Sequence, residues 1–214
     1  MTRLTGDEKH SAAATSTLDV IRVLYERVLK VSPESVGDPA RDRFYLSKGH
    51  GPMAYYAVLA EQGFFPESWL ADWGSYHSPL GFHPDRNLVP GVEIGSGSLG
   101  HGLPLSVGTA LGLRAQGIAS RVVVLVGDAE LDEGSNHEAI ALAGRLGLDR
   151  LTVVVVDNRS ATYGWPGGIA SRFEIEGWAS ATVDGRDHDA LSAALTEVRI
   201  GQPNVVVAVV EQGA

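Results

Sequence analysis

Two apolar runs dominate the hydrophobic pattern, at residues 122–126 and 151–156, and each stops at a polar turn. The first ends in Gly127-Asp128-Ala129-Glu130 and the second in Asp157-Asn158-Arg159-Ser160. β-Branched runs of this length, joined by a helix-forming segment, predict a βαβ unit with parallel strands. Ligands of open parallel sheets bind beyond the carboxyl ends of the strands. Asp128 and Asn158 are therefore expected side by side at one rim. Both offer hard oxygen ligands which, with a diphosphate and water, complete the octahedron that Mg²⁺ demands.

The rest of the chain alternates in the same way. Leu18, Ile21, Leu24, Tyr25 and Val28 repeat at helical spacing and predict a first helix over 8–31. Residues 32–39 break it with Pro and Gly. The segment 41–51 predicts a short strand opening into a Gly-flanked loop. Helices follow over 52–62, 66–73 and 103–116. The stretch 75–98 has little periodicity and many Gly, Pro and His residues, and an unstructured stretch of that length in a compact domain is usually functional or disordered. Later come a Gly/Pro turn at 164–168, a short strand over 181–184, a helix over 189–200 and a last buried strand over 205–210. Strands alternating with helices predict an α/β fold, a three-layer sandwich around a mostly parallel sheet. One domain is expected over 8–212, after a short tail at 1–7.

Composition narrows the function without naming it. The chain has 214 residues, enough to bury a substantial core, with 44% hydrophobic and 20% charged residues. A net charge of −9 argues against nucleic-acid partners, because no basic stripe exists to meet phosphates. Small anions remain compatible with it, since helix N-termini and metals bind them without net positive charge. There are no cysteines, hence no disulfide framework and no thiolate metal site. The N-terminus lacks the apolar core of a signal peptide, and no apolar run reaches the roughly 20 residues that span a bilayer. These features read as cytoplasmic, with no membrane partner.

Four of the seven histidines sit in informative places. His50 lies between Gly49 and Gly51, His101 between Gly100 and Gly102, His83 precedes Pro84, and His10 opens the first predicted helix. Backbone flanked by glycine approaches a ligand closely, and an imidazole exchanges protons near neutral pH.

Gly127-Asp128-Ala129, with Asn158 thirty residues beyond the aspartate, resembles the thiamine-diphosphate motif of the transketolase family. Glu130-Leu131-Asp132-Glu133-Gly134 and His137-Glu138-Ala139 are similar to transketolases as well. So are Asp42-Arg43-Phe44 with Leu46-Ser47-Lys48-Gly49-His50, His83-Pro84 with Pro90-Gly91-Val92-Glu93, and Gly97-Ser98-Leu99-Gly100. The resemblance implies the thiamine-diphosphate-binding fold. It implies that Asp128, Asn158 and the Ser160 main-chain carbonyl bind Mg²⁺ (or Ca²⁺ or Mn²⁺) bridging the diphosphate. Gly127 and Ala129 would line the diphosphate, Gly97 and Leu99 the aminopyrimidine side, and His50 the cofactor and substrate together. His50 and His83 would bind substrate hydroxyls and assist proton transfers. His10 is carried only by position, because its family context of Gly-His-Pro-Gly is absent. Glu133 and Glu138 match family glutamates at a subunit interface, or serve as a solvated acidic first turn favoured by the helix dipole.

The sequence departs from the family at His101, where glutamine is usual, and at Phe82, where glycine is usual. The resemblance covers the diphosphate-binding half of a transketolase and lacks the pyrimidine-binding domain whose glutamate activates the cofactor. The expectation is therefore one subunit of a split transketolase. It would transfer a two-carbon ketol unit from a ketose phosphate to an aldose, and be active only with a C-terminal subunit carrying that domain, as two copies of each. The rivals are a component of another thiamine-diphosphate enzyme, of the 2-oxoacid dehydrogenase or decarboxylase type or a secondary-metabolic two-carbon transferase, and a non-catalytic partner module.

Overall fold

The computed structural model describes residues 11–49, 52–161 and 164–210. Five strands of these residues form one sheet: β1 (Arg43–Leu46), β2 (Val122–Gly127), β3 (Leu151–Asp157), β4 (Ala179–Asp184) and β5 (Asn204–Val209). The sheet order is β1-β2-β3-β5-β4, and every neighbouring pair is parallel. Among the described residues six α-helices flank it: α1 (Ser11–Val23), α2 (Met53–Glu61), α3 (Gly102–Ala115), α4 (Gly134–Leu146), α5 (Ile169–Glu174) and α6 (His188–Thr196).

The pleat divides the core in two. Phe44 and Leu46, Val123 and Leu125, Val154 and Val156, and Val206 and Ala208 pack on one face with α1, α2 and α6. The alternate residues, Tyr45, Val122, Val124, Val126, Val153, Val155, Val205 and Val207, pack on the other with α3, α4 and α5. Strands covered on both faces have no polar side to alternate with, which is why β2, β3 and β5 read as continuous apolar runs. The three-layer expectation holds.

Helix boundaries follow local chemistry. Asp187 caps α6 by accepting from the N–H groups of Asp189 and Ala190. Gly147 ends α4 in the left-handed region, at φ 56°. Several sequence expectations are corrected. The first helix stops at Val23, and a π-helical turn over Leu24–Val28 carries Leu24, Tyr25 and Val28 into the core. The expected helix over 66–73 is a tight 3₁₀ turn, Glu67–Asp72, whose only buried residue is Leu70, so an α-helix there would have no apolar face to bury. α5 was not foreseen because it is short and directly follows Gly167-Gly168. β4 begins two residues earlier than expected, at Ala179, and α6 ends at Thr196 rather than at 200.

The stretch between Glu67–Asp72 and α3 has no helix or strand among the described residues, yet it is anchored. Leu80, Val89 and Val92 are buried, and the hydroxyls of Tyr56 and Tyr55 donate to the carbonyls of Gly81 and Gly91. Among the described residues no helix is long and apolar enough to cross a membrane.

Candidate functional site

The carboxyl ends of β1, β2 and β3 form the rim predicted from the sequence. Register pairs Leu46 with Leu125 and Gly127 with Val156, so three polar turns emerge side by side. They are Ser47-Lys48-Gly49, Asp128-Ala129-Glu130 and Asn158-Arg159-Ser160.

Asp128 is 2% exposed. Its carboxylate accepts from the Ser160 N–H (2.6 Å), the Ser160 hydroxyl (2.6 Å) and the Ala161 N–H (3.0 Å). The turn after β3 is thus folded onto the turn after β2. Ser160 meets Asp128 through its N–H and hydroxyl, while the family resemblance implicated its carbonyl. Asn158 is half-buried, and its Oδ1 is buried without a hydrogen-bond partner. Such an atom is costly unless something else completes it. Arg159 between them holds φ 58°, an uncommon conformation for a residue other than glycine, stabilised by its N–H donating to Asp157 Oδ1 (3.1 Å).

The donor set suits a hard divalent cation: a carboxylate with about four acceptor positions, three of them used, beside an amide oxygen with none used. Among the described residues no three of His, Cys, Asp and Glu converge. A cation here would rely on Asp128 together with amide, hydroxyl or main-chain oxygens and those of a bound diphosphate.

Two buried charged residues complete the rim, and sequence reasoning gave neither a role. Glu130 (2% exposed) accepts from the Ser47 hydroxyl, the Gly100 N–H (3.0 Å) and the Gly127 N–H (3.4 Å). Burial raises its pKa above the ordinary carboxylate value, against the lowering effect of these bonds. Lys48 is 9% exposed; its Nζ donates to Ser16 Oγ (3.0 Å), and burial lowers its pKa to about 8, with Asp128 and Glu130 opposing that shift. The aliphatic part of Lys48 covers Gly127: a Cβ at Gly127 would stand 3.4 Å from Lys48 Cδ. The signal the sequence carried for both is their place just beyond a strand, in segments that resemble transketolases.

The glycine-rich turns meet one another at the same end. A Cβ on Gly49 would lie 2.6 Å from the Gly97 nitrogen, and a Cβ on Gly97, at φ 144°, would lie 2.8 Å from the His83 ring. The structure therefore brings His83, Gly97 and Gly49 together. Gly127 is buried and Ala129 half-buried, opening a 3₁₀ turn over Ala129–Asp132, while Leu99 is partly exposed at 37%. His101 is exposed at the N-terminus of α3, and Glu133 and Glu138 are exposed at and near the start of α4. His10 and His50 lie outside the described residues. A separate hollow lies at the amino ends of β2 and β3, among Leu113, Ile118 and Leu148, and contains none of this chemistry.

The family model described as "Transketolase, thiamine diphosphate binding domain" matches residues 5–211. The chain is 56% identical over 211 residues to a Rhodococcoides fascians protein named "Ferredoxin fas2", covering 98% of this chain and 69% of that one. Iron–sulfur clusters of ferredoxins are held by cysteine thiolates, and these 214 residues contain no cysteine. It is 36% identical over 212 residues to an apulose-4-phosphate transketolase subunit of Actinobacillus succinogenes, covering 96% of this chain and 77% of that one. A solved transketolase from Leishmania mexicana superposes with a TM-score of 0.76 at 26% identity, over 93% of this chain and 36% of that one. The chain thus spans about a third of the length of such a transketolase.

Proposed function

Because this chain belongs to the transketolase family, as its N-terminal thiamine-diphosphate-binding domain, we propose that it is one subunit of a split transketolase. It moves a two-carbon ketol unit from a ketose phosphate to an aldose acceptor, in complex with a C-terminal subunit carrying the pyrimidine-binding domain, two copies of each. The observation that carries this reading is the rim itself: Asp128 and Asn158 at adjacent strand ends, beside the cluster of Gly49, His83 and Gly97. The sugar-phosphate substrate and the divided architecture are supported by the name of the Actinobacillus relative, a transketolase subunit for apulose 4-phosphate. Residues 8–212 act as one domain in this assignment.

Thiamine diphosphate, when bound, supplies carbanion stabilisation, and the protein positions and tunes it. Asp128 and Asn158, with Ser160, would hold Mg²⁺ or a similar cation, and the unpartnered Asn158 Oδ1 fits that task. Gly127 and Ala129 allow the diphosphate close to the backbone, and Gly97 and Leu99 bound the aminopyrimidine side. His83, held against Gly97, binds substrate hydroxyls and exchanges a proton with the sugar as general acid and base. His50, one residue beyond Gly49, shares that work on the cofactor side, and His10 contributes a further substrate contact.

The test is a ketol-transfer assay on this chain, alone and co-purified with its pyrimidine-domain subunit, with and without thiamine diphosphate and Mg²⁺. Xylulose 5-phosphate and ribose 5-phosphate serve as donor and acceptor. Activity only in the complete mixture is the expected result. A complex that binds the cofactor and transfers nothing from any ketose phosphate would overturn the ketol-transfer reading while leaving the cofactor assignment standing.

A further inference from the structure

On the open edge of the sheet, a polar pocket of about 290 Å³ lies between β1, the second half of α3 and the loop that carries Arg86 and Glu93. Its wall includes Arg43, Tyr45, Arg86, Glu93, Thr109 and Gln116. Arg43 opens β1, and about 10 Å of strand separates it from Leu46 at the carboxyl rim. The pocket is therefore distinct from the site described above.

Its charge is unbalanced. Both oxygens of Glu93 accept from Arg41 Nη2, at 2.8 and 3.1 Å, so Arg41 already neutralises the one carboxylate. Arg43 reaches Glu93 only at 3.6 Å and donates through Nη2 to the Pro39 carbonyl. Its Nε is buried with no hydrogen-bond partner. Arg86 is exposed and forms no ion pair with a described residue. Two guanidinium charges are thus left over on a chain whose net charge is −9. The same lining carries the hydrogen-bonded hydroxyls of Tyr45 and Thr109 (2.7 Å) and the Gln116 amide.

We infer that this pocket is a second, small-anion site that takes a phosphate group between Arg43 and Arg86, either as free phosphate or as the monoester of a sugar. A guanidinium presents paired N–H donors in a planar fork that matches phosphate oxygens. The hydroxyl and amide groups facing it suit the hydroxyls of a small sugar. Arg86 and Glu93 share a loop with His83 and Gly97, so an occupied pocket ties that loop to β1 and α3. Its role is that of an effector site which steadies the loop. This inference does not rest on the ketol-transfer reading.

Calorimetric titration of the full chain with inorganic phosphate, in chelator and without divalent metal, tests it. Saturable binding is expected, weakened about tenfold or more by Arg86→Ala and abolished by Arg86→Glu. Both change an exposed side chain, and circular dichroism verifies that the variants fold. Lys48→Met, at the carboxyl rim, should leave phosphate binding unchanged. Ribose 5-phosphate binding more tightly than phosphate identifies a sugar phosphate as the ligand, and equal affinity identifies free phosphate. Absence of saturation, unchanged affinity in both Arg86 variants, or loss of binding in Lys48→Met would overturn the site.

Discussion

The hydroxyl of Ser47, at the end of β1, donates to the carboxylate of Glu130, in the turn after β2, and the same hydroxyl accepts from the Gly102 N–H that opens α3. One buried carboxylate thereby joins β1, β2 and the glycine loop leading into α3. Glu130→Ala removes the acceptor of Ser47, Gly100 and Gly127 together. A loss of about 2–4 kcal/mol is expected in urea unfolding, the cost of stranding buried donors. Glu130→Gln keeps one oxygen and should lose less. Burial raises the folded pKa of Glu130 above its ordinary 4.5, so its titration stabilises the fold below that value and the gain fades as pH rises through the folded pKa. The gap between wild type and Glu130→Gln should accordingly narrow from acid towards neutral pH.

Asp128 holds the turn after β3 through three hydrogen bonds. Asp128→Ala should leave a folded chain less stable by about 1–3 kcal/mol, from the freed N–H and hydroxyl donors. In the assembled complex it should abolish metal-dependent binding of thiamine diphosphate, measured by calorimetry. Retained affinity would remove Asp128 from the metal site.

Gly97 sits at φ 144° with the His83 ring where a side chain would go. Gly97→Ala should cost roughly 1–3 kcal/mol in strain and push His83 out of place. Ketol transfer by the complex should fall at least tenfold, while the melting temperature drops by about 2–12 °C. A variant with full activity would separate His83 from catalysis.

Lys48 titrates near 8 in the folded chain and near 10.5 when exposed. The unfolded state therefore binds more protons between those values, and stability attributable to Lys48 rises with pH through that window. Relative to Lys48→Met, the wild type should gain about 1.5 kcal/mol between pH ~8 and ~9.5. Tyr25, Tyr55 and Tyr56, whose pKa values burial raises, are common to both proteins, so their ionisation cancels in this difference. A flat difference across that window would place the Lys48 ammonium in solvent.

The sheet was legible because strands buried on both faces have to be apolar throughout, as at 122–126 and 151–156. The rim followed from it, since polar residues directly after such runs have only one place to go. Asp128, Asn158, His83 and Gly97 stand out on that basis and on their resemblance to transketolases, and the structure places them at the same end. Glu130 and Lys48 escaped notice because burial of a charge depends on partners far along the chain, here Ser47, Gly100 and Ser16. Local pattern was misleading in the segment 66–73, where the expected helix is a 3₁₀ turn. Trp69 instead stacks on Phe65, with ring centroids 5.3 Å apart, and Trp73 meets Phe82 edge-on.

Valine on both sides of β2, β3 and β5 has a further consequence. A strand with one wet face is held in alignment because slipping by one residue turns its apolar side to water. Here such a slip exchanges valine for valine and meets little penalty from the core. Alignment has to come from the ends. Asp42, just before β1, accepts from the N–H groups of Lys30 (2.9 Å) and Arg121 (2.8 Å), and so fixes where β1 and β2 begin. Ser47 and Glu130 fix where they finish. Without those anchors the strands would remain buried while the carboxyl rim shifted by about 3.3 Å, enough to carry Asp128 away from Ser160. The polar termini, more than the apolar middle, are what keep this sheet in step.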